Sequence, residues 1–154
     1  MAGLAHSFSF GPHRDRDNTH HGSLLVSNDD LVEAGSRFET RPHRDMEIVT
    51  WVLEGELEHR DSIGNSGLIH PGLAQRMSVG RGILHSEINP LGDAPVRFGQ
   101  MWIVPDTESI EPGYAQRDIE RELASGELFP VASGASGICG REAAIRIHQQ
   151  GATL

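Results

Sequence analysis

The feature that most constrains this chain is its rhythm between Leu24 and Pro105: short apolar runs, few longer than eight residues, each closed by glycine, proline, asparagine or aspartate. Met46, Ile48, Thr50 and Val52 alternate with Asp45, Glu47, Val49 and Trp51, the period-two pattern of a strand with one face turned inward. Glu54-Gly55 reads as a tight turn, and the Gly and Asn of "DSIGNSG" (residues 61–67) mark a hairpin. "GLIHPG", "AQRMSVGRG", "ILHSEIN" and "VRFGQMWIVP" follow as further short strands. Regular short strands without a helix between them predict an all-β sandwich or barrel. The 18 glycines among 154 residues agree, being well above the usual share of about 7%.

Beyond Pro105 the pattern changes. "RDIERELASGELFP" predicts one short helix, with Asp118 as its cap, acidic residues in its first turn and Gly126 after its end. A Gly/Ser-rich loop and one last alternation, Ala144 to Ile147, complete the chain. The length suits a single domain over residues 1–154, with a barrel over about residues 22–105 and a helix and partial strand tail over 106–154. Residues 1–21 carry four of the nine histidines (His6, His13, His20, His21) but no strand periodicity, and read as a polar surface segment.

Charge and cysteine content narrow the functional classes. A formal net charge of -9 repels phosphate backbones and argues against direct nucleic-acid binding. The lone Cys139 leaves no intramolecular disulfide and fits a reducing cytoplasm. No apolar run approaches the roughly 20 residues that span a bilayer, and "MAGLAHSFSFGPHRD" lacks the form of a signal peptide. A soluble, cytoplasmic protein without membrane contact is expected.

The residues able to carry chemistry are His43, His85 and Glu87, with Arg41 and Glu47 beside them. Arg41, His43 and Glu47 share strand parity and face one way if that strand is continuous; His85 and Glu87 share a face by the same rule. Imidazoles with a carboxylate form a ligand set for Fe, Zn, Mn, Ni or Cu(II). The same spacing also suits ordinary hydrogen-bonded strand histidines, so both readings stand at this point.

The run "RPHRDMEIVTWVLEGELEHRDSIGNSGLIHPGLAQRMSVGRGILHSEIN" (residues 41–89) resembles the pirin signature in residues and spacing. "HSFSFG", "LLVSNDDLVEAGSRFETRPHRDMEI", "PVRFGQMWIVPDTESIEPGYAQ" and "IRIHQQ" extend the likeness from Ser7 to Gln150. "GILHSEIN" is also similar to the second cupin motif, with Gly82, His85 and Asn89 in place. The resemblance implies a cupin-type double-stranded β-barrel, or jelly roll, like the N-terminal half of a pirin, with one short C-terminal helix. It further implies a divalent metal, iron first and Ni, Mn, Cu or Zn next, held by three His and one Glu. Two of the His and the Glu fall on His43, His85 and Glu87, while the remaining His falls on Arg41.

A guanidinium stays protonated and has no lone pair to give, so Arg41 cannot ligate a cation. Three arrangements follow. His43, His85 and Glu87 hold the metal alone, with Arg41 swung aside or binding an anionic substrate. Glu47 joins the set, as the first-motif carboxylate does in ordinary cupins. Or the metal is lost and Arg41 pairs with Glu87 or Glu47.

The resemblance implies two kinds of function. One is quercetin dioxygenase-like ring opening of a flavonol, with Glu87 as base and Arg41 stabilising the phenolate. The other is a regulatory module that docks on a protein partner. Pirins resemble two barrels in one chain, so a homodimer is expected here, one subunit standing where a second barrel would pack. Trp51, Met77, Phe98, Met101 and Trp102 are expected in the core or along a flavonoid pocket; His59 and His70 are expected on the surface.

Overall fold

The alternation around Ile48 becomes an inward-facing strand because its two faces meet different partners. Ile48 packs with Met77, Val79 and Ile83, and Val52 packs with Leu57, Ile69 and Phe98. The odd positions Val49 and Trp51 turn the other way, against the C-terminal tail. The structure, a computed structural model, describes residues 2–137 and 141–154, with side chains for all of these except residues 2–4 and 37–41. Cys139 lies outside the described residues, and so does the side chain of Arg41.

Ten strands form two antiparallel sheets. The larger has the order β1 (Ala2–His6), β2 (Leu24–Val32), β9 (Val96–Ile103), β4 (Glu47–Glu54), β7 (Leu73–Ser78), β10 (Gly113–Asp118). The smaller runs β3 (Arg37–His43), β8 (Ile83–Ile88), β5 (Leu57–Asp61), β6 (Ser66–Ile69). Val32, Val52, Val96 and Phe98 of the larger sheet pack with Leu57 and Ile69 of the smaller, which makes the all-β jelly-roll core.

Two glycines show why the turns read so clearly. Gly55, between β4 and β5, has a φ of +80°, and an added Cβ would lie 2.8 Å from the Pro95 carbonyl oxygen. Gly80, before β8, has a φ of +50°, and its Cβ would sit 2.0 Å from the Ile110 oxygen. Neither position accepts a side chain without moving backbone.

The helix forms as α1 (Glu120–Ala124), shorter than its sequence pattern. Asp118 accepts the Glu120 N–H at 3.0 Å, while Ile119 is the capping residue and is itself buried. The tail continues through β11 (Ala132–Ser133) and β12 (Ile145–Arg146), which pair in parallel. Ala132 and Ile147 pack on Val49 and Ile103, so the tail covers the outer face of the larger sheet. No helix among the described residues is long and apolar enough to cross a membrane.

Three expectations need correction. The sheets reach beyond residues 22–105: β1 pairs with β2 from within the N-terminal segment, and β10 pairs with β7 from within the expected tail. Both lie at sheet edges, where backbone pairing holds a strand that lacks an inward apolar alternation. Parity does not carry from His43 to Glu47, because Asp45 adopts a φ of +49° and separates β3 from β4. Finally, His59 is fully buried rather than on the surface, whereas His70 is exposed as expected.

Candidate metal centre

β8 is an interior strand of the smaller sheet, and its inward positions carry the chemistry. His85 and Glu87 are buried, while Leu84 between the core positions faces solvent. The register places Arg41 of β3 and Asp61 of β5 opposite His85 from its two sides. It places His59 of β5 directly opposite Glu87. Directly opposed residues on one face hold their Cβ atoms about 4.5–5.5 Å apart, within reach of a shared ligand.

His59, His85 and Glu87 accordingly bring one donor atom each within 4.8 Å of one another, all three buried. His43 lies on the other side of His85, its ring centre 4.9 Å from that of His85 and 4.8 Å from that of Trp102. The structure thus gathers His85 and Glu87, both expected from the sequence, with His59, which was expected on the surface. The available signal was the alternation Leu57, His59, Asp61, which puts His59 on the face of an apolar neighbour.

Glu87 is held from the opposite sheet. Gln100 Nε2 donates to its Oε1 at 2.8 Å and Oε2 at 3.1 Å, and Trp102 Nε1 donates to Gln100 Oε1 at 2.8 Å. Burial pushes the Glu87 carboxyl up to about 7, against the lowering effect of Gln100. His85 is held down to about 3, first by burial and then by neighbouring His43 and His59, and so stays neutral. Burial also lowers His59, with Asp61 opposing.

These groups fit a divalent transition metal. The donor set is two neutral imidazoles and a carboxylate, a combination that such ions accept. Among the described residues, Nδ1 of His85 and Nδ1 of His59 are buried without a hydrogen-bond partner, a costly state for a polar atom.

Glu47 does not belong to this site. It is fully buried on the outer face of β4, where it accepts from Ser78 Oγ at 2.9 Å and contacts His148 Nδ1 at 3.1 Å. Arg76 donates to the same Ser78 hydroxyl. This removes the arrangement in which Glu47 ligates. Met77 and Phe98 are core residues, Trp51 and Met101 lie under the tail, and Trp102 packs against His43 of the site. Phe10 packs edge-on against Trp102 at 5.7 Å, so the N-terminal segment is anchored beside it.

A Mycobacterium tuberculosis protein provisionally named a quercetin 2,3-dioxygenase is 58% identical over 149 residues, covering 97% of this chain and 60% of that protein. The quercetin 2,3-dioxygenase of Escherichia coli K12 is 40% identical over 144 residues, covering 94% and 59% respectively. The crystal structure of YhhW from Escherichia coli superposes with a TM-score of 0.81 at 38% identity, over 94% of this chain and 59% of that one. A second structure of YhhW, described as a bacterial pirin in complex with nickel(II), gives 0.80 at 38% identity over the same shares. The chain thus spans about 60% of the length of these curated relatives. The family model for Pirin matches residues 1–103, two thirds of the sequence, and the chain belongs to the Pirin family.

Proposed function

We propose that the protein is a divalent-metal-dependent oxygenase of the quercetin dioxygenase kind, with His43, His85 and Glu87 holding the metal. The observation that carries this reading is the buried donor cluster of His59, His85 and Glu87, with the His43 ring centre 4.9 Å from that of His85, in a Pirin-family chain. The names of the relatives support a flavonol substrate, and the nickel(II)-bound relative supports a divalent ion. Iron is the first expectation, followed by nickel, manganese, copper and zinc.

A divalent metal held by these residues would supply Lewis acidity to the flavonol phenolate. The chain's own residues do the rest. His85 stays neutral and keeps a lone pair available. Glu87, as a ligand that dissociates in part from the metal, would offer the carboxylate oxygen that takes the substrate's hydroxyl proton. Gln100 orients both oxygens of that carboxylate, and Trp102 fixes Gln100. Arg41, whose backbone is opposite His85 in the register, is the cation proposed to stabilise the phenolate.

Arg41 also favours a second reading. A cation at a position that pirins fill with a ligand weakens metal binding, which leaves a regulatory module for a protein partner. The net charge of -9 disfavours nucleic acid as that partner. The proposal places the protein in a reducing cytoplasm as a homodimer; a monomer in sedimentation at micromolar concentration would remove the dimer.

Metal content by plasma mass spectrometry, with Arg41→His alongside, tests the choice. Stoichiometric metal in the unmodified protein, followed by flavonol consumption that His85→Ala abolishes, supports the oxygenase. An empty unmodified protein beside a loaded Arg41→His variant favours the regulatory module.

A further inference from the structure

His59 is the buried polar group that the proposed triad leaves without a task. It is fully buried, stacked on Tyr114 with ring centres 4.8 Å apart, and its Nδ1 has no hydrogen-bond partner. Its other nitrogen, Nε2, lies 3.4 Å from Asp61 Oδ2, a carboxylate with no exposed side-chain surface. Asp61 is itself fixed by Asn65 Nδ2 at 2.9 Å and by the backbone N–H groups of Ile63 and Asn65. With Asp61 Oδ2 accepting from Nε2–H, the lone pair is left on Nδ1. Metal-bound histidines are held in this way, one nitrogen on a carboxylate and the other on the ion.

The distances agree. With metal–nitrogen bonds of about 2.1 Å, two imidazoles on one ion at 90–120° place their ring centres roughly 4.5–5.6 Å apart. The His85 ring lies 4.9 Å from His43 and 5.6 Å from His59, so both neighbours meet that condition. The two sides of β8 also complement one another. β3 carries Arg41, which has no lone pair, whereas β5 carries His59, opposite Glu87.

We propose that His59 is a metal ligand of this site through Nδ1, oriented by Asp61 and supplying the donor that Arg41 cannot. The inference rests on the metal-dependent reading above and adds His59 to His43, His85 and Glu87. The centre then has three imidazoles and one carboxylate, drawn from β3, β5 and β8. Asp61 acts as a positioning residue through the ring it holds.

Pulsed electron paramagnetic resonance on the full chain loaded with Cu(II) counts coordinated imidazoles directly. Three in the unmodified protein are expected, since His43 and His85 alone give two. His59→Gln, which keeps bulk and polarity, is expected to give two and to weaken Zn(II) binding at least 100-fold in chelator competition. Adding Arg41→His to that variant is expected to restore the third imidazole and most of the affinity. Asp61→Asn is expected to keep three imidazoles with affinity reduced about 10- to 100-fold. Two imidazoles in the unmodified protein, or an unchanged count in a folded His59→Gln variant, overturns the role of His59 and leaves the metal-dependent reading standing. Failure of the unmodified protein to bind Cu(II) or Zn(II) at all overturns both.

Discussion

Gln100 offers a quantitative test of how the site governs its carboxylate. Its amide donates to both oxygens of Glu87, and replacement by leucine removes both bonds while keeping the side chain about the same size. Hydrogen bonding to a charged group stabilises the charged form by about 1.5–3 kcal/mol. At about 1.4 kcal/mol per pKa unit, Glu87 rises by roughly one to two units further. The sign follows: the proton is held more tightly, and a metal must displace it. From a starting value of about 7, the ionised fraction at neutral pH falls from about a half to between a tenth and a hundredth. Apparent Zn(II) affinity at neutral pH should therefore fall about 5- to 50-fold, close to the range typical for partners of metal ligands. At about pH 9 the deficit should shrink to about twofold or less, because the carboxylate is then largely ionised in the unmodified protein and at least half ionised in the variant. Chelator competition at the two pH values reads this directly, with tryptophan fluorescence as the fold control. No deficit in the variant, or one that persists unchanged at high pH, would refute the reasoning.

Other expectations concern the same framework. Tyr114 is the chain's single tyrosine, and burial, then Asp61, push its hydroxyl up to about 12. Spectrophotometric titration of the metal-free protein should show one phenolate transition well above 10, and stability should fall as pH rises from about 10 to 12, since the unfolded chain ionises first; a transition near 10 in the folded state contradicts the placement. Gly80→Ala drives a Cβ to 2.0 Å from the Ile110 oxygen at a φ of +50°, and thermal unfolding should show a loss of about 2–4 kcal/mol. Glu47→Gln should lower the melting temperature through its buried contacts with Ser78 and His148, yet leave metal content unchanged, because it faces away from the site.

The strand order and the turns were legible because glycine and alternation each act locally. Gly55 is required by its own φ and by the closeness of Pro95, whatever the rest of the sheet does. The site was half legible. His85 and Glu87 sit two apart on one strand, so parity alone puts them together, and the motif around them names the family. Glu47 was misplaced because a parity argument fails wherever one residue, here Asp45, takes a left-handed conformation. His59 was missed for a different reason. Its value comes from standing opposite Glu87 on a neighbouring strand, and register between strands is set by the whole sheet. The edge strands β1 and β10 share that origin, since their pairing partners lie about 25 and 40 residues away along the chain.

The covering of the larger sheet by the tail sets an order on folding. Glu47 meets His148 across 101 residues, and Val49 and Ile103 are sealed by Ala132 and Ile147. During synthesis the two sheets can pair once β10 has emerged, but their outer face stays apolar until these last contacts are made. A nascent chain paused before residue 130 presents Val49, Trp51 and Ile103 to the solvent together with a Glu47 carboxylate that keeps Ser78 but lacks His148. That interval, rather than closure of the barrel, is when the molecule is most open to aggregation and most in need of a chaperone.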